Sequence, residues 1–364
     1  MTHILYYITS HGYGHAVRSA AVCNALGELS LNIRITVKSD IPARFFEEEL
    51  MLPSGAVNVV KGSFDVGCLQ SDGVTVLMEE TLQAYKNISI NNTLMLDDEA
   101  KWCVENKVDC VVSDITPFAF DVADRAGIPS VAIGNFTWHD IYSPYIECFP
   151  QYAHILTEMA GQYGKATTAL ALYPASPMPV FDHKKNVPTI GKKGRDRRDE
   201  IYDKFGIDRR KCLGLIYTGN FGLESVRWGN LEKFAGWEFV GVYPLPGNPE
   251  NFHAVTKAQF RYEDLSASVD AIIGKMGYGV LSESLLNGVP LIYLPREDFS
   301  EFQVLDAEAK RLGNGVCIDT AMFTEAAWED VLAAAVNNKQ PPELCGGAHI
   351  CAQEIINTIK IRRP

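Results

Sequence analysis

Two α/β domains, each a doubly wound sheet of the Rossmann kind, are what this sequence predicts, on three observations. Short continuous apolar runs recur along the chain, the mark of strands buried on both faces of a parallel sheet. Several of these runs end in glycine turns that open into helix-like segments, the order a βαβ unit requires. The same grammar starts afresh after a proline-rich stretch near the middle of a chain of 364 residues, a length at which two domains are the ordinary outcome.

The first strand is Ile4-Leu5-Tyr6-Tyr7-Ile8. It runs into Ser10-His11-Gly12-Tyr13-Gly14-His15, after which Ala16, Ala20, Ala21, Cys23 and Leu26 form a helical face that closes near Gly27. Residues 33–37 make the second strand, followed by a variable region to about residue 80. A helix across 80–106, a strand over 109–114, a helix over 118–126 and a strand over 130–133 repeat the unit. The segment YPASPMPVFDHKKNVPTIGKKGRDRRD after Leu172 has four prolines and little apolar periodicity, so it reads as a connector. Strands over 213–217, 239–242 and 271–273 follow, the last leading through Gly274-Lys275-Met276-Gly277-Tyr278-Gly279 into a helix over 280–287 and a strand over 291–294. Residues 345–360 have the pattern of a terminal helix. The expected division is therefore 1–181 for the first domain, 182–344 for the second, and 345–364 for a helix and tail packing back towards the first. Open α/β sheets bind ligands beyond the carboxyl ends of their strands, so a cleft between the facing edges is expected, with the connector at 182–194 as hinge.

Composition narrows the functional classes. Acids outnumber bases 45 to 33, for a net charge of -12, which argues against a general attraction to nucleic acid or anionic lipid. The nine cysteines are odd in number, scattered and without a C-x2-C pair, so neither a disulfide framework nor a zinc ribbon is indicated, and a reducing cytoplasm is the expected location. The opening residues lack a basic n-region and no apolar stretch reaches about 18 residues, so neither a signal peptide nor a membrane span is expected. Residues 183–211 hold eleven Lys/Arg against five acids; a solvated connector and helix face explains them, with docking to an anionic surface as the alternative.

The candidate chemistry lies in the glycine turns. In Gly274–Glu283 a strand, three glycines and a helix follow one another, and unpaired amides at such a helix start hold a phosphate, a diphosphate being the natural guest. A simple tight turn is the other reading. The pattern nearly matches the dinucleotide G-x-G-x-x-G, with Ser282 in the last place, and is not a Walker loop. Glu283, expected in the first turn of the helix, either favours the helix dipole or accepts both hydroxyls of a ribose. Ser10–Arg18 is the twin turn in the first domain. His15 at its helix start is placed either to take a proton from a hydroxyl or to cap and pack. His11 and His15 stand four apart, as metal ligands on a helix would, but the intervening glycines and the lack of a third ligand speak against a metal. Asp114 ends a buried strand and either orients a histidine, contacts an acceptor hydroxyl, or caps the helix over 118–126. No D-x-D pair and no G-x-S-x-G are present, which removes the commonest metal and serine-hydrolase readings.

Three blocks then carry a resemblance: SHGYGHAVR at 10–18, VVSDITPFAFDVADRAGIPSVAIGNFTW at 111–138 and DAIIGKMGYGVLSESLLNGVP at 270–290. They resemble the N-terminal, glycosyltransferase-like part of plant L-arabinokinases and, more broadly, GT-B glycosyltransferases of the type that adds N-acetylglucosamine to the peptidoglycan precursor. The similarity runs over nearly the whole chain, and the kinase half of the plant enzymes has no counterpart in it. The resemblance implies a GT-B fold, with an acceptor site in the first domain and a nucleotide-sugar site in the second. It implies His15 as the base, oriented by Asp114, with His11, Gly12, Gly14, Arg18 and Asn135 on the acceptor side. On the donor side it implies Lys275, Gly277, Tyr278, Gly279 and Val280 as the diphosphate loop and Glu283 on the ribose. Gly219 and Asn220 add a second phosphate contact, and Glu301 and Gln303 fall in the sugar-reading segment. There Asp306 stands where the family has Asn and one extra residue separates Glu301 from Gln303, which leaves the sugar open. The first turn is also similar to that of a sugar-nucleotide hydrolase of the pseudaminic-acid pathway, in which the matching histidine activates water.

The expected function is metal-independent transfer of a sugar from a nucleotide diphosphate-sugar to an acceptor hydroxyl. No cofactor is expected beyond the co-substrate, a UDP-sugar. Hydrolysis of the same donor, a non-catalytic nucleotide-sugar binder and an NAD(P)H dehydrogenase are the alternatives.

Overall fold

The computed structural model describes residues 1–30, 32–71, 75–217, 225–337 and 346–362. It forms two compact units, one of Met1–Ser71, Val76–Ile190 and the described residues from Gly346 onward, the other of the described residues within Gly191–Cys345. The first unit contains β1 (Thr2–Ile8), α1 (Tyr13–Leu29), β2 (Ile33–Ser39), α2 (Ala43–Glu49), β3 (Val57–Lys61), α3 (Met78–Glu105), β4 (Cys110–Asp114), α4 (Phe118–Ala126), β5 (Ser130–Gly134), α5 (Trp138–Cys148), α6 (Ala153–Tyr163), β6 (Thr168–Leu172) and β7 (Lys185–Val187). Its seven strands lie in the order β3-β2-β1-β4-β5-β6-β7, all parallel. The chain works outward from β1 to β3 and then restarts at β4 on the other side of β1. The carboxyl ends of β1 and β4 therefore flank the switch point, where α/β sheets take their ligands.

The opening apolar run does not alternate because both faces of β1 are covered: Ile4, Leu5, Tyr6 and Tyr7 are fully buried. On one face Leu5 and Tyr7 join Phe64, Cys103, Val111, Phe118 and Val122 in a single core under α3 and α4. α4 stops at Gly127, which takes the left-handed conformation (φ 65°) that glycine supplies without strain. The terminal helix α13 (Gly347–Arg362) packs against α1, burying Cys351, Ala352 and Ile355. Thr168 and Thr358 share a hydrogen bond of 3.1 Å, and Lys185 donates to Glu354 at 2.7 Å.

The second unit contains α7 (Arg198–Phe205), β8 (Cys212–Tyr217), β9 (Trp237–Gly241), β10 (Phe252–Ala254), α8 (Tyr262–Ser268), β11 (Ala271–Lys275), α9 (Tyr278–Asn287), β12 (Leu291–Leu294), α10 (Glu301–Arg311), β13 (Gly315–Cys317), α11 (Thr320–Thr324) and α12 (Glu329–Val336). Its strands run β10-β9-β8-β11-β12-β13, again all parallel, so β8 and β11 flank the second switch point. Side chains of β11 alternate between two cores. Ile272 enters one with Leu281 and Leu285, while Ala271 and Ile273 enter the other with Trp228 and Trp328.

Several sequence expectations shift. The segment read as a connector holds β7, which extends the first sheet, so that unit runs to Ile190 and not to 181. The variable region before residue 80 contains α2 and β3. α9 begins at Tyr278, two residues early, which moves Glu283 out of the first turn. Much of the basic island is spent on ion pairs: Arg197 with Glu200, Arg198 with Asp270, Arg209 with Asp203, Arg210 with Asp208 and Lys211 with Glu238. The eight described cysteines are free thiols. Among the described residues no helix is long and apolar enough to cross a membrane.

Candidate functional site

At the first switch point, β1 gives way to Gly12 in an extended conformation (φ -169°, ψ 156°), and α1 starts with no side-chain cap and no acid in its first turn. Its leading amides and the positive end of its dipole are left for another partner. A Cβ placed on Gly12 or Gly14 would meet nothing within 4 Å. Neither backbone conformation nor packing demands glycine at these positions, and the space above the backbone is open.

One turn into α1, His15 meets Asp114 from the end of β4. His15 Nδ1 lies 2.8 Å from Asp114 Oδ1, to which Arg18 also donates at 2.6 Å; Arg18 Nε donates to Oδ2 at 2.7 Å and Ser19 at 2.9 Å. Burial opposes ionisation of Asp114, which is fully inaccessible, but Arg18 and His15 outweigh it and hold the carboxyl well below the usual carboxylate range. Asp114 is thus a fixed anion that only accepts, and each of the four atoms around it, from His15, Arg18 and Ser19, must donate. That requirement puts a hydrogen of His15 on Nδ1, so that in the neutral ring the lone pair falls on Nε2. The 2.9 Å approach of Arg18 to Nδ1 is then two donors converging on one oxygen.

The reading of Asp114 as a helix cap is overturned: the N-cap of α4 is Pro117, without a side-chain bond. Arg18 and Asn135, expected on the acceptor side, are 4% and 1% exposed, and Arg18 donates to the Asn135 amide oxygen at 2.6 Å as well as to Asp114. Arg18 follows His15 by three residues on one helix, a same-face spacing that the sequence already displays. His11 accepts at Nδ1 from the Cys68 amide (3.2 Å) and sets its ring edge on Trp138 (5.3 Å). Among the described residues no three His, Cys, Asp or Glu could hold a metal ion.

Sequence reasoning missed Asp65. This 3% exposed carboxylate, on the segment after β3, accepts from Thr9 (2.7 Å) just past β1 and from Thr116 (2.6 Å) just past β4. Burial raises its pKa, and the threonine hydrogen bonds pull against that rise. Its only sequence signal is a lone acid set between Phe64 and Val66. Between Asp114 and Thr116, Ile115 adopts φ 56°, a left-handed conformation that costs a β-branched residue about 1–3 kcal/mol. Tyr163 donates to the Ile115 carbonyl at 2.5 Å and Ser113 to that of Thr116 at 2.7 Å, which holds the turn in place.

At the second switch point, Gly277 is extended (φ -160°, ψ 160°) and α9 starts without a side-chain cap or a first-turn acid. A Cβ on Gly277 or Gly279 would meet nothing within 4 Å, whereas one on Gly274 would lie 1.8 Å from the Tyr217 carbonyl oxygen. Gly274 is therefore needed where β11 packs on β8; the other two are not needed for packing. Tyr278 and Val280 are buried, and Lys275 is partly exposed at the end of β11. Glu283 accepts from Ser266 at 2.9 Å, and burial pushes its carboxyl up to about 8 against that hydrogen bond. Glu301 opens α10 and is buried while Gln303 is exposed; two residues apart on a helix, they point to different sides. Asp306 accepts from Tyr293 (2.7 Å) and Lys310 (2.8 Å). Gly219 and Asn220 lie outside the described residues.

These paired sheets, with their glycine turns at the switch points, match solved glycosyltransferases along almost their full length. UGT2 of Phytolacca americana, in a structure complexed with UDP-2fluoro-glucose and pterostilbene, aligns over 99% of this chain and 94% of its own, with a TM-score of 0.65 and 13% identity. The chain has the GT-B fold. MurG of Acinetobacter baumannii shares this GT-B fold over 98% of the chain and 100% of its own, at a TM-score of 0.57 and 13% identity. In sequence, the GT-B chain is 31% identical to L-arabinokinase of Arabidopsis thaliana over 342 residues, which is 92% of this chain and 32% of that protein. It therefore spans about a third of the length of the curated relative it matches. No family model matches it.

Proposed function

We propose that this chain transfers a sugar from a nucleotide diphosphate-sugar, a UDP-sugar in the first instance, to an acceptor hydroxyl without a metal ion. The observation that carries the reading is His15 at the first switch point of a chain with the GT-B fold, its Nδ1 on a buried fixed carboxylate, which leaves Nε2 to act as the base in the neutral ring. In this reading the acceptor hydroxyl gives its proton to Nε2 as its oxygen bonds to the anomeric carbon. The bond from that carbon to the diphosphate breaks, and the nucleotide leaves with the electron pair. A positioned general base contributes about 10²–10⁴-fold. The amides around Gly277–Val280 and the dipole of α9 receive the charge on the departing diphosphate, and such preorganised donors are worth about 2.7–4 kcal/mol each. Glu283, neutral at pH 7 in the free protein, can both donate to and accept from the two ribose hydroxyls. The UDP-2fluoro-glucose complex of the Phytolacca americana enzyme supports the choice of a UDP-sugar.

Thermal denaturation against nucleoside diphosphates, nucleotide sugars and NAD(P)H tests the donor side. Saturation at a hundred times Kd stabilises by about 2.7 kcal/mol. UDP and one UDP-sugar are expected to raise Tm, with nucleotide release in the presence of an acceptor undiminished by EDTA. A shift with NAD(P)H alone would replace this reading with the dehydrogenase one.

A further inference from the structure

His15 stands on α1 after the β1 turn and Asp114 ends β4 before the next turn; the Thr9 amide reaches the Asp114 carbonyl at 3.4 Å, and among the described residues one side chain outside the pair hydrogen-bonds to both turns. Asp65 Oδ1 takes the hydroxyl of Thr9, one residue past β1, and Oδ2 takes that of Thr116, two residues past Asp114. The Thr9 oxygen also lies 3.4 Å from the amide of His11, within the loop that leads into α1. On the other side, Thr116 adjoins Ile115, whose left-handed backbone would relax unless its neighbours held it. We propose that Asp65 is a positioning residue for the catalytic pair: by bridging Thr9 and Thr116 it fixes the β1 turn against the strained β4 turn, and so sets His15 against Asp114.

The inference rests on the transferase reading for its catalytic meaning, but the placement of His15 can be read without any substrate. Both carboxylate oxygens are used, so the bridge depends on a group that accepts at two points. An amide of the same shape accepts at one and must donate at the other, so the Thr116 or Thr9 hydroxyl facing the NH2 has to accept and turn its own hydrogen to another partner. Asp65 is inaccessible, and no part of it is free to touch an acceptor or a sugar. Its effect must pass through the turns it ties.

The test compares the full-length chain with Asp65→Asn, Thr9→Val and Thr116→Val, using ¹⁵N-histidine NMR with the His15 resonance assigned from a His15→Ala sample. Wild type is expected to show a single His15 tautomer protonated at Nδ1. Asp65→Asn is expected to lose that single state while keeping the Tm increase given by UDP. With a UDP-sugar that turns over, kcat should fall about 100-fold and the KM for the donor stay within about twofold, as misplacement of a reacting group predicts. An Asp65→Asn protein with the wild-type His15 spectrum and wild-type kcat overturns the proposal. Should Asp65→Asn not fold, the threonine variants decide, since each cuts one arm: an unchanged His15 spectrum in both overturns it. Absence of turnover with every nucleotide sugar, or full turnover in His15→Ala, would remove the transferase reading while leaving the spectroscopic result for Asp65 standing.

Discussion

Gly12-Tyr13-Gly14-His15 and Gly277-Tyr278-Gly279-Val280 occupy the same place in their sheets, between a buried parallel strand and the helix at a switch point. Both begin with an extended glycine, both helices lack a side-chain cap and a first-turn acid, and in neither turn does a Cβ on the two glycines meet a neighbour. The difference is what stands behind them. The first carries His15 and, beneath it, a carboxylate saturated by four donors. The second carries Val280 and a single carboxyl, Glu283, held neutral by its surroundings and bonded to one serine. One backbone device thus stands in two settings: beside a carboxyl that accepts from one serine, and beside a histidine whose Nδ1 is held by a buried carboxylate.

The largest effect that would break this comparison is on turnover. His15→Ala is expected to lower kcat by about 10²–10⁴-fold, while the Tm increase given by UDP stays as in wild type. Equal loss of both would mean the two turns do not divide the work. Next comes Arg18→Met, which leaves the buried Asp114 charge without its main partner. Urea denaturation should show a loss of about 3–5 kcal/mol, with UDP binding to the folded protein unchanged. A loss under 1 kcal/mol would mean that the carboxylate tolerates the interior without Arg18.

Smaller effects sharpen the second turn. Gly277→Val fits an open, extended position, so folding stability should stay within about 0.5 kcal/mol while UDP affinity falls about tenfold in calorimetry. Unchanged affinity would detach the diphosphate from this loop. The smallest effect is one of pH. Glu283 has a folded value of about 8 against an ordinary 4.5, so the native state holds its proton more tightly than the unfolded chain. Its contribution to stability is complete below about pH 4.5 and is lost as pH rises through 8. Partial exposure reduces the change to about 1–2 kcal/mol. Glu283→Gln should flatten that slope in denaturation curves taken across the window.

What could be read from the sequence follows from which signals are local. β1, β4, β8 and β11 were legible because strands buried on both faces write continuous apolar runs, and the glycine turns after β1 and β11 mark where they end. Asp114 and His15 were legible as a pair because each closes such a strand or opens the helix after one. Asp114 could be separated from a helix cap only by tertiary contact, since Arg18 and Ser19 reach it from another element. Asp65 was out of reach for a stronger reason: it sits in a loop without periodicity, and its partners Thr9 and Thr116 lie 56 and 51 residues away in sequence. β7 was hidden because a three-residue edge strand among prolines has too few side chains to show a period.

The return of α13 to the first unit bears on how the protein is made. His15 stands on α1, the helix that α13 covers, yet the covering residues Cys351, Ala352 and Ile355 are synthesised after the whole second unit. Nearly all of the second unit comes from one uninterrupted stretch, residues 191–345, available to fold as it emerges, while the first must wait, one flank of α1 bare, until α13 is released. The unit that starts first is therefore completed after the second, and a ribosome that stops short of residue 347 leaves α1 without the cover that α13 provides.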